Sequence, residues 1–325
     1  MFRFNTEPRI EKEKVVSTST TTVKRAARSD LTSAAIFYTV VLFLTGVIVY
    51  FIGYQQDNPD ATILVVLIPT TVAVLITART LGRAGVRRLL RLRGDSPWSA
   101  RLLLTTALAI PTIALAAIFI GSTVTGQSSE FAMHADGLLI LLVLVVIVIG
   151  EEYGFRGYML PRLQSRYSAL VAGIITGAAW WLWHYPPSLI GTGTPLDTPF
   201  WLFGIWVVAA TVLMTSVFNA SRGSVGLMML FHLTANASFV FLPLLPENRE
   251  GDLTTFSVFV ALVVVVAAVV VRINGPSSLS TTPRTTQRQS QGKESQSSRP
   301  FPRSTTKITA QGAGRMSSRQ HVNGE

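Results

Sequence analysis

The chain alternates between long apolar blocks and short polar connections. A helix needs about 20 apolar residues to cross the hydrocarbon core of a bilayer. We count about eight blocks of this kind, and the pattern therefore predicts an all-α polytopic transmembrane helix bundle of about eight spans. The predicted spans are Ser33–Gly53, Ala61–Ala78, Arg101–Gly121, Gly137–Tyr158, Ala169–Tyr185, Phe200–Phe218, Ser224–Leu244 and Thr254–Val271.

The positions of lysine and arginine alternate between successive connections. Connections at 54–60, 122–136 and 186–199 contain neither residue, and that at 245–253 contains only Arg249. Because positive loops stay cytoplasmic, an even number of spans with both termini in the cytoplasm fits this alternation, and the plasma membrane is the expected location. The basic residues of the other connections are Lys24, Arg25, Arg28, Arg79, Arg83, Arg87, Arg88, Arg91, Arg93, Arg162, Arg166, Arg222 and Arg272.

Composition narrows the function classes. The chain has a formal net charge of +11, and its basic residues lie beside the apolar spans. Basic residues in that position set the topology and contact anionic head groups, so no nucleic-acid partner is expected. The chain has no cysteine, which excludes disulfides, thiolate metal sites and a thiol nucleophile. The polar segment that precedes the first span argues against a cleaved signal peptide.

Ionisable residues inside spans are informative, because each costs about 2.5–3.5 kcal/mol at a helix centre and tends to mark chemistry. The first cluster is Glu151, Glu152 and Arg156. The i,i+4 spacing lets Arg156 hold Glu152, whereas Glu151 points about 100° away and is free to act as a base. The alternative is an ordinary helix end among the head groups.

Two further clusters pair an imidazole with a second side chain at i,i+4 spacing. Trp180 lies one turn before His184, and a residue of an interfacial aromatic belt is the alternative for this histidine. His232 lies one turn before Asn236, and a polar clamp between helices is the alternative for this pair. His134 and His321 fall in a loop and in the tail, and no function is assigned to them.

At these residues the sequence resembles the CPBP family, which includes type II CAAX prenyl endopeptidases and bacteriocin-immunity proteins. Its motifs are Glu-Glu-x-x-x-Arg, Phe-x-x-x-His and His-x-x-x-Asn or Asp, in this order on separate spans. The first is matched by Glu151, Glu152 and Arg156, and the third by His232 and Asn236. The second is matched by His184, with Trp180 in the aromatic position.

The chain is expected to divide into five parts, and the resemblance concerns only the part at 137–244. Residues 1–32 are a polar cytoplasmic segment, and 33–136 hold the N-terminal transmembrane helices with an arginine-rich cytoplasmic loop. Residues 137–244 are the CPBP-like catalytic core, 245–273 the last transmembrane helix and 274–325 a basic tail. Both ends are expected to be disordered, because they have few large apolar residues.

The resemblance implies a glutamate-type intramembrane endopeptidase. Glu151 would activate a water held with His184, while His232 and Asn236 would stabilise the oxyanion. No cofactor is favoured, although zinc bound by Glu151, His184 and His232 is the second possibility. The expected partners are the bilayer and a membrane-anchored protein or peptide, with a prenylated or CAAX-like substrate among the candidates. The sequence indicates no oligomeric state.

Two functions of other classes fit the same residues. A proton-coupled transporter would use the carboxylates and histidines as a relay. A non-catalytic immunity or scaffold protein would only bind a membrane partner.

Overall fold

A computed structural model describes residues 9–54, 61–95, 97–126, 136–246 and 252–280 of the 325-residue chain. Every regular element in these ranges is helical, which confirms the all-α prediction. His134, His321 and the predicted tail beyond residue 280 lie outside the described residues. The α-helices are α1 (Arg9–Ile48), α2 (Ala61–Leu89), α3 (Ala100–Thr125), α4 (Gly137–Glu152), α5 (Leu160–Gln164), α6 (Ala169–Trp183), α7 (Tyr185–Ser188), α8 (Phe200–Ala220), α9 (Val225–Phe241) and α10 (Leu253–Asn274). π-Helical turns at Val49–Tyr54 and Tyr153–Met159 extend α1 and α4.

All eight predicted spans coincide with helices, but their lengths differ. In the described ranges, six helical segments are long and apolar enough to cross a membrane, which indicates an integral membrane protein. The other two are α6, with 15 residues, and α9, with 17 residues. Pro243 ends α9, because a proline disfavours helical backbone in the residue before it, and Leu242 is extended. Pro186 and Pro187, which lack the N–H that would continue the hydrogen-bond ladder, follow the end of α6. The predicted histidines belong to these two short helices: His184 directly follows α6, and His232 lies in α9.

Parts of both predicted terminal segments lie within the described residues. Helix α1 begins at Arg9 and continues without a break into the first span. Residues 9–28 contain no glycine or proline that would interrupt a helix. At the other end, residues 275–280 pack against the bundle, and we call this segment the clasp. Leu279 is fully buried there, and the Asn219 amide donates to the carbonyl of Ser278 at 2.7 Å.

The clasp also caps the start of α6. The backbone N–H groups of Ala169 and Leu170 donate to the carbonyls of Ser277 and Pro276, each at 3.1 Å. The first N–H groups of a helix have no partner within the helix, so a carbonyl from outside satisfies them. The clasp therefore joins α6 to the end of α8.

Glycines four residues apart let two helix pairs approach closely. A Cβ atom on Gly154 would lie 2.6 Å from Pro69 Cβ, and Gly150 faces the backbone of Val66, so α4 lies directly against α2. On α6, a Cβ atom on Gly173 would lie 2.9 Å from Thr215 Oγ1, and one on Gly177 would lie 2.9 Å from the Cα atom of α8 residue 208. Such G-x-x-x-G pairs mark close packing in membranes, and the sequence analysis overlooked both.

Three arginine-bearing connections meet at one end of the bundle. The Asp95 N–H donates to the Arg222 carbonyl at 3.1 Å, and the Gly226 N–H donates to the Leu92 carbonyl at 2.8 Å. The loop between α2 and α3 therefore lies against the turn between α8 and α9. The clasp, which follows Arg272, packs at the start of α6. This gathering of arginines fits the alternation found in the sequence.

Candidate active site

The two glutamates lie in the middle of a long helical segment. Helix α4 continues through the π-turn and α5, so that Gly137–Gln164 forms a segment of 28 residues. At 1.5 Å per residue, Glu151 lies about 20 Å from either end. The side chains of Glu151 and Glu152 are 3% and 0% exposed. This burial argues against the alternative that they form an ordinary helix end at the head groups.

Glu152 joins α4 to α9 and to the π-turn. Its Oε1 atom accepts a hydrogen bond from Arg156 at 2.9 Å, as the i,i+4 spacing predicted, and also lies 2.9 Å from His232 Nδ1. Arg156 is fully buried and donates to Thr211 Oγ1 of α8 at 3.0 Å. A buried carboxylate needs such partners to remain ionised. The polar clamp considered for His232 is therefore present, with Glu152 as the partner.

Glu151 reaches a different helix. Its Oε2 atom accepts a hydrogen bond from Trp180 Nε1 of α6 at 2.7 Å, so the carboxylate is not free as the sequence analysis predicted. The Trp180 ring also lies beneath the Arg156 guanidinium, with 3.9 Å from Cζ to the ring centroid. The signal in the sequence was the tryptophan in the aromatic position of the second motif, since an indole can donate a hydrogen bond and a phenyl ring cannot.

His184 directly follows α6 and faces the same ring. Its centroid lies 5.6 Å from that of Trp180, whereas the His232 centroid lies 5.1 Å from Trp180 on another side. His184 Nδ1 lies 2.7 Å from the Trp180 carbonyl oxygen. A carbonyl can only accept, so Nδ1 carries a proton and Nε2 of the neutral ring is an acceptor. This burial and pairing argue against a belt residue at the interface.

One cavity of about 360 Å³ brings the predicted residues together. Glu151, His184, His232 and Asn236 all line it, together with Trp180. Glu152 and Arg156 do not line the cavity. They contact residues that do, Glu152 through His232 and Arg156 through the Trp180 ring. The rest of the lining is mostly apolar and comes mainly from α2, α4, α8, α9 and the segment after α7.

The residues described by the structure contain no group of three or more His, Cys, Asp or Glu side chains placed to hold a metal ion. Glu151, His184 and His232 were the ligands considered for zinc. Their carboxylate and Nδ1 atoms instead contact Trp180, the Trp180 carbonyl and Glu152. The arrangement does not fit a preformed three-ligand zinc site.

Comparisons with known proteins agree on one family. Residues 134–238 match the family model described as type II CAAX prenyl endopeptidase Rce1-like. The chain is also 29% identical over 154 residues to a protein from Methanococcus maripaludis named CAAX prenyl protease 2. That similarity covers 45% of this chain and 57% of the relative, so the chain spans little more than half of the relative's length.

The matched segment contains Glu151, Glu152, Arg156, His184, His232 and Asn236. The comparisons therefore confirm the resemblance to the type II CAAX prenyl endopeptidases over the part of the chain that forms the buried polar cavity.

Proposed function

We propose that the protein is an intramembrane endopeptidase that hydrolyses a peptide bond of a membrane-associated protein or peptide. The observation that carries this proposal is the convergence of Glu151, His184, His232 and Asn236 on one buried cavity. The relative's name makes a prenylated, CAAX-like protein the first substrate to test. Glu151, His184 and His232 are buried, so each fixed dipole beside them acts more strongly on a developing charge than it would in water.

The first step is attack by water on the scissile carbonyl carbon. Glu151 takes a proton from the water, and the Nε2 atom of His184 accepts the other hydrogen bond and orients it. The Trp180 indole holds Glu151 Oε2, which leaves Oε1 for the water. A new C–O bond forms, and the carbonyl electrons move onto the oxygen.

The oxyanion is stabilised by His232 and Asn236 from α9. Since His232 Nδ1 is directed at Glu152, Nε2 donates only when the ring carries both protons. The Glu152 carboxylate balances that charge. With Glu151 ionised, the charges of Glu151, Glu152, Arg156 and a doubly protonated His232 sum to zero, which suits a low-dielectric site.

Collapse of the tetrahedral intermediate breaks the C–N bond. Glu151 returns its proton to the leaving amine, so that the base of the first step is the acid of the second. The immediate products are a carboxylic acid and an amine, which exchange a proton to become a carboxylate and an ammonium, and no atom from the protein enters either.

We also propose that the arginine-bearing end of the bundle faces the cytoplasm, with both termini on that side of the plasma membrane. The alternation of basic connections in the sequence and their contacts at one end support this orientation.

The test is cleavage of a membrane-anchored peptide by the purified chain in proteoliposomes. A prenylated peptide and an unmodified peptide of the same sequence with a transmembrane anchor would distinguish the substrate classes. We expect Glu151→Gln to lower the rate at least about 1000-fold, because the base is lost. The exposed Asp95→Asn is the matched control and should stay within about twofold of the wild type. Full cleavage by Glu151→Gln would refute the assigned base.

The same preparation addresses zinc and transport. We expect cleavage to persist after treatment with a chelator, and loss of cleavage that zinc alone restores would overturn the metal-free route. Solute flux driven by a pH gradient and abolished by Glu151→Gln, without any cleavage, would favour the transporter instead.

A further inference from the structure

The segment Arg79–Arg93 combines dense positive charge with exposed leucines. It contains six arginines in 15 residues, and all six side chains are exposed. Leu81, Leu90 and Leu92 are 61%, 40% and 48% exposed beside them. We call this the arginine segment. Arginines interleaved with exposed apolar side chains are the composition of a surface that lies against phospholipid head groups.

The arginine segment begins where the head groups of the bilayer are expected. The 18 residues from Ala61 to Ala78 span about 27 Å of helix, which places Arg79 at the edge of the hydrocarbon. Gly82 then has a φ of 63° and a ψ of −163°, which breaks the helix direction within α2. This left-handed conformation is one that glycine adopts easily. Five of the six arginines therefore follow a bend at the membrane surface.

The arginine segment is tied to the helices of the site. The Tyr153 hydroxyl, next to Glu152, donates to the Leu90 carbonyl at 3.1 Å. The Leu92 carbonyl accepts from Ser224 Oγ at 2.9 Å and from the N–H of Gly226 at 2.8 Å. Ser224 is the N-cap of α9, the helix that carries His232.

We propose that the arginine segment binds anionic phospholipid head groups, and that this binding positions the π-turn and α9 for catalysis. The binding stands by itself, whereas the effect on catalysis rests on the proposed endopeptidase function. The occupant that we propose is an anionic phospholipid. Its phosphate complements the charge of the arginines, and its acyl chains supply the apolar surface that the exposed leucines contact.

The binding test uses brominated phosphatidylglycerol and brominated phosphatidylcholine as quenchers of Trp98, which lies 5.3 Å from the Arg93 guanidinium. Trp98→Phe supplies the blank. We expect the full chain to prefer phosphatidylglycerol at this position. Each basic residue near an anionic surface contributes about fivefold, so Arg83→Gln/Arg87→Gln/Arg88→Gln should lower the preference at least about tenfold.

The matched control is Arg101→Gln/Arg166→Gln/Arg272→Gln, which removes three exposed arginines outside the segment. It should keep the preference. Equal loss in both triple variants would overturn the proposal, because net charge alone would then explain binding. Absence of any preference in the wild type, or its displacement by inorganic phosphate at millimolar concentration, would do the same.

The catalytic test compares cleavage rates in phosphatidylcholine vesicles with and without 30% phosphatidylglycerol. We expect the wild-type rate to rise about fivefold or more and the segment triple variant to show no rise. Tyr153→Phe/Ser224→Ala should keep the lipid preference and lose most of the rise in rate, because both side-chain bonds to the Leu90 and Leu92 carbonyls are cut and only the Gly226 N–H bond remains. A full rise in that double variant would overturn the coupling. Lack of cleavage in every lipid would refute the endopeptidase while the quenching result still decides the binding surface.

Discussion

Trp180 contacts more of the candidate site than any one of the predicted catalytic side chains does. It donates to Glu151, lies beneath Arg156 and meets the rings of both His184 and His232. The family motif that the sequence resembles has a phenylalanine at this place. An indole adds one donor, and that donor selects which carboxylate oxygen of Glu151 faces the cavity.

We expect Trp180→Phe to lower kcat about tenfold or more with KM within about twofold. The substitution keeps an aromatic ring but removes a hydrogen bond to a charged group, which is worth about 1.5–3 kcal/mol. Steady-state kinetics on the peptide substrate would measure both constants. The matched control is Trp181→Phe, which loses a bond of 2.9 Å to the Phe200 carbonyl and should leave kcat unchanged. Equal effects in the two variants would show that only packing matters.

Arg156 neutralises Glu152 where no solvent reaches either group. We expect Arg156→Leu to lower the free energy of unfolding by about 3–5 kcal/mol, because an uncompensated charge is left buried. Unfolding of the purified protein in mixed micelles would measure the loss. Arg156→Leu/Glu152→Leu should recover part of it, and the exposed Arg166→Leu should show no comparable loss. A stable Arg156→Leu would contradict the buried pair.

At the scale of elements, the contact between α6 and α8 places Trp180 and His184. Gly177 permits this contact, since a Cβ atom there would lie 2.9 Å from Val208 Cα and 3.1 Å from Thr211 Cβ. We expect Gly177→Ala to lower stability by about 1–3 kcal/mol through overpacking and to lower the cleavage rate. Gly46→Ala is the matched control, because a Cβ atom there meets nothing within 4 Å. Thermal unfolding of both variants in detergent measures the difference in stability, and an equal loss in both would contradict the overpacking at Gly177.

The clasp gives a second test at this scale. A chain that ends at Asn274 lacks the clasp, whereas a chain that ends at Ser280 keeps it and lacks only the tail. We expect the shorter chain to unfold at a lower temperature and to cleave more slowly, because the first N–H groups of α6 lose their acceptors. The longer chain should match the full protein. Identical behaviour of the two truncations would show that the clasp adds nothing to α6.

At the scale of the whole molecule, the orientation can be measured directly because the chain contains no cysteine. We expect a thiol reagent that cannot cross membranes to label Asp95→Cys only from the cytoplasmic side. It should label Leu196→Cys only from the opposite side, since Leu196 lies in a connection without lysine or arginine. Labelling of both from one side would contradict the proposed topology.

Much of this molecule was readable from its sequence. Hydrophobic length predicted all eight helical segments, and i,i+4 spacing predicted the pairing of Glu152 with Arg156. The predicted span Gly137–Tyr158 already passed Glu152, but local periodicity could not show that a π-turn follows there or that the helical segment extends to Gln164. Nor could it show that His232 pairs with Glu152, since the two residues are 80 positions apart. The gathering of Glu151, Trp180 and His184 likewise depends on how three helices pack.

Glu151 and Glu152 are adjacent in α4, yet one reaches α6 and the other reaches α9. During biosynthesis α4 therefore emerges before α6 and α9, the helices whose residues Trp180 and His232 contact its two glutamates. A nascent chain that has not yet inserted α9 carries the acids without His232 and Asn236. In the proposed mechanism, hydrolysis can begin only when the bundle is complete, so a half-made copy would be harmless to the proteins around it.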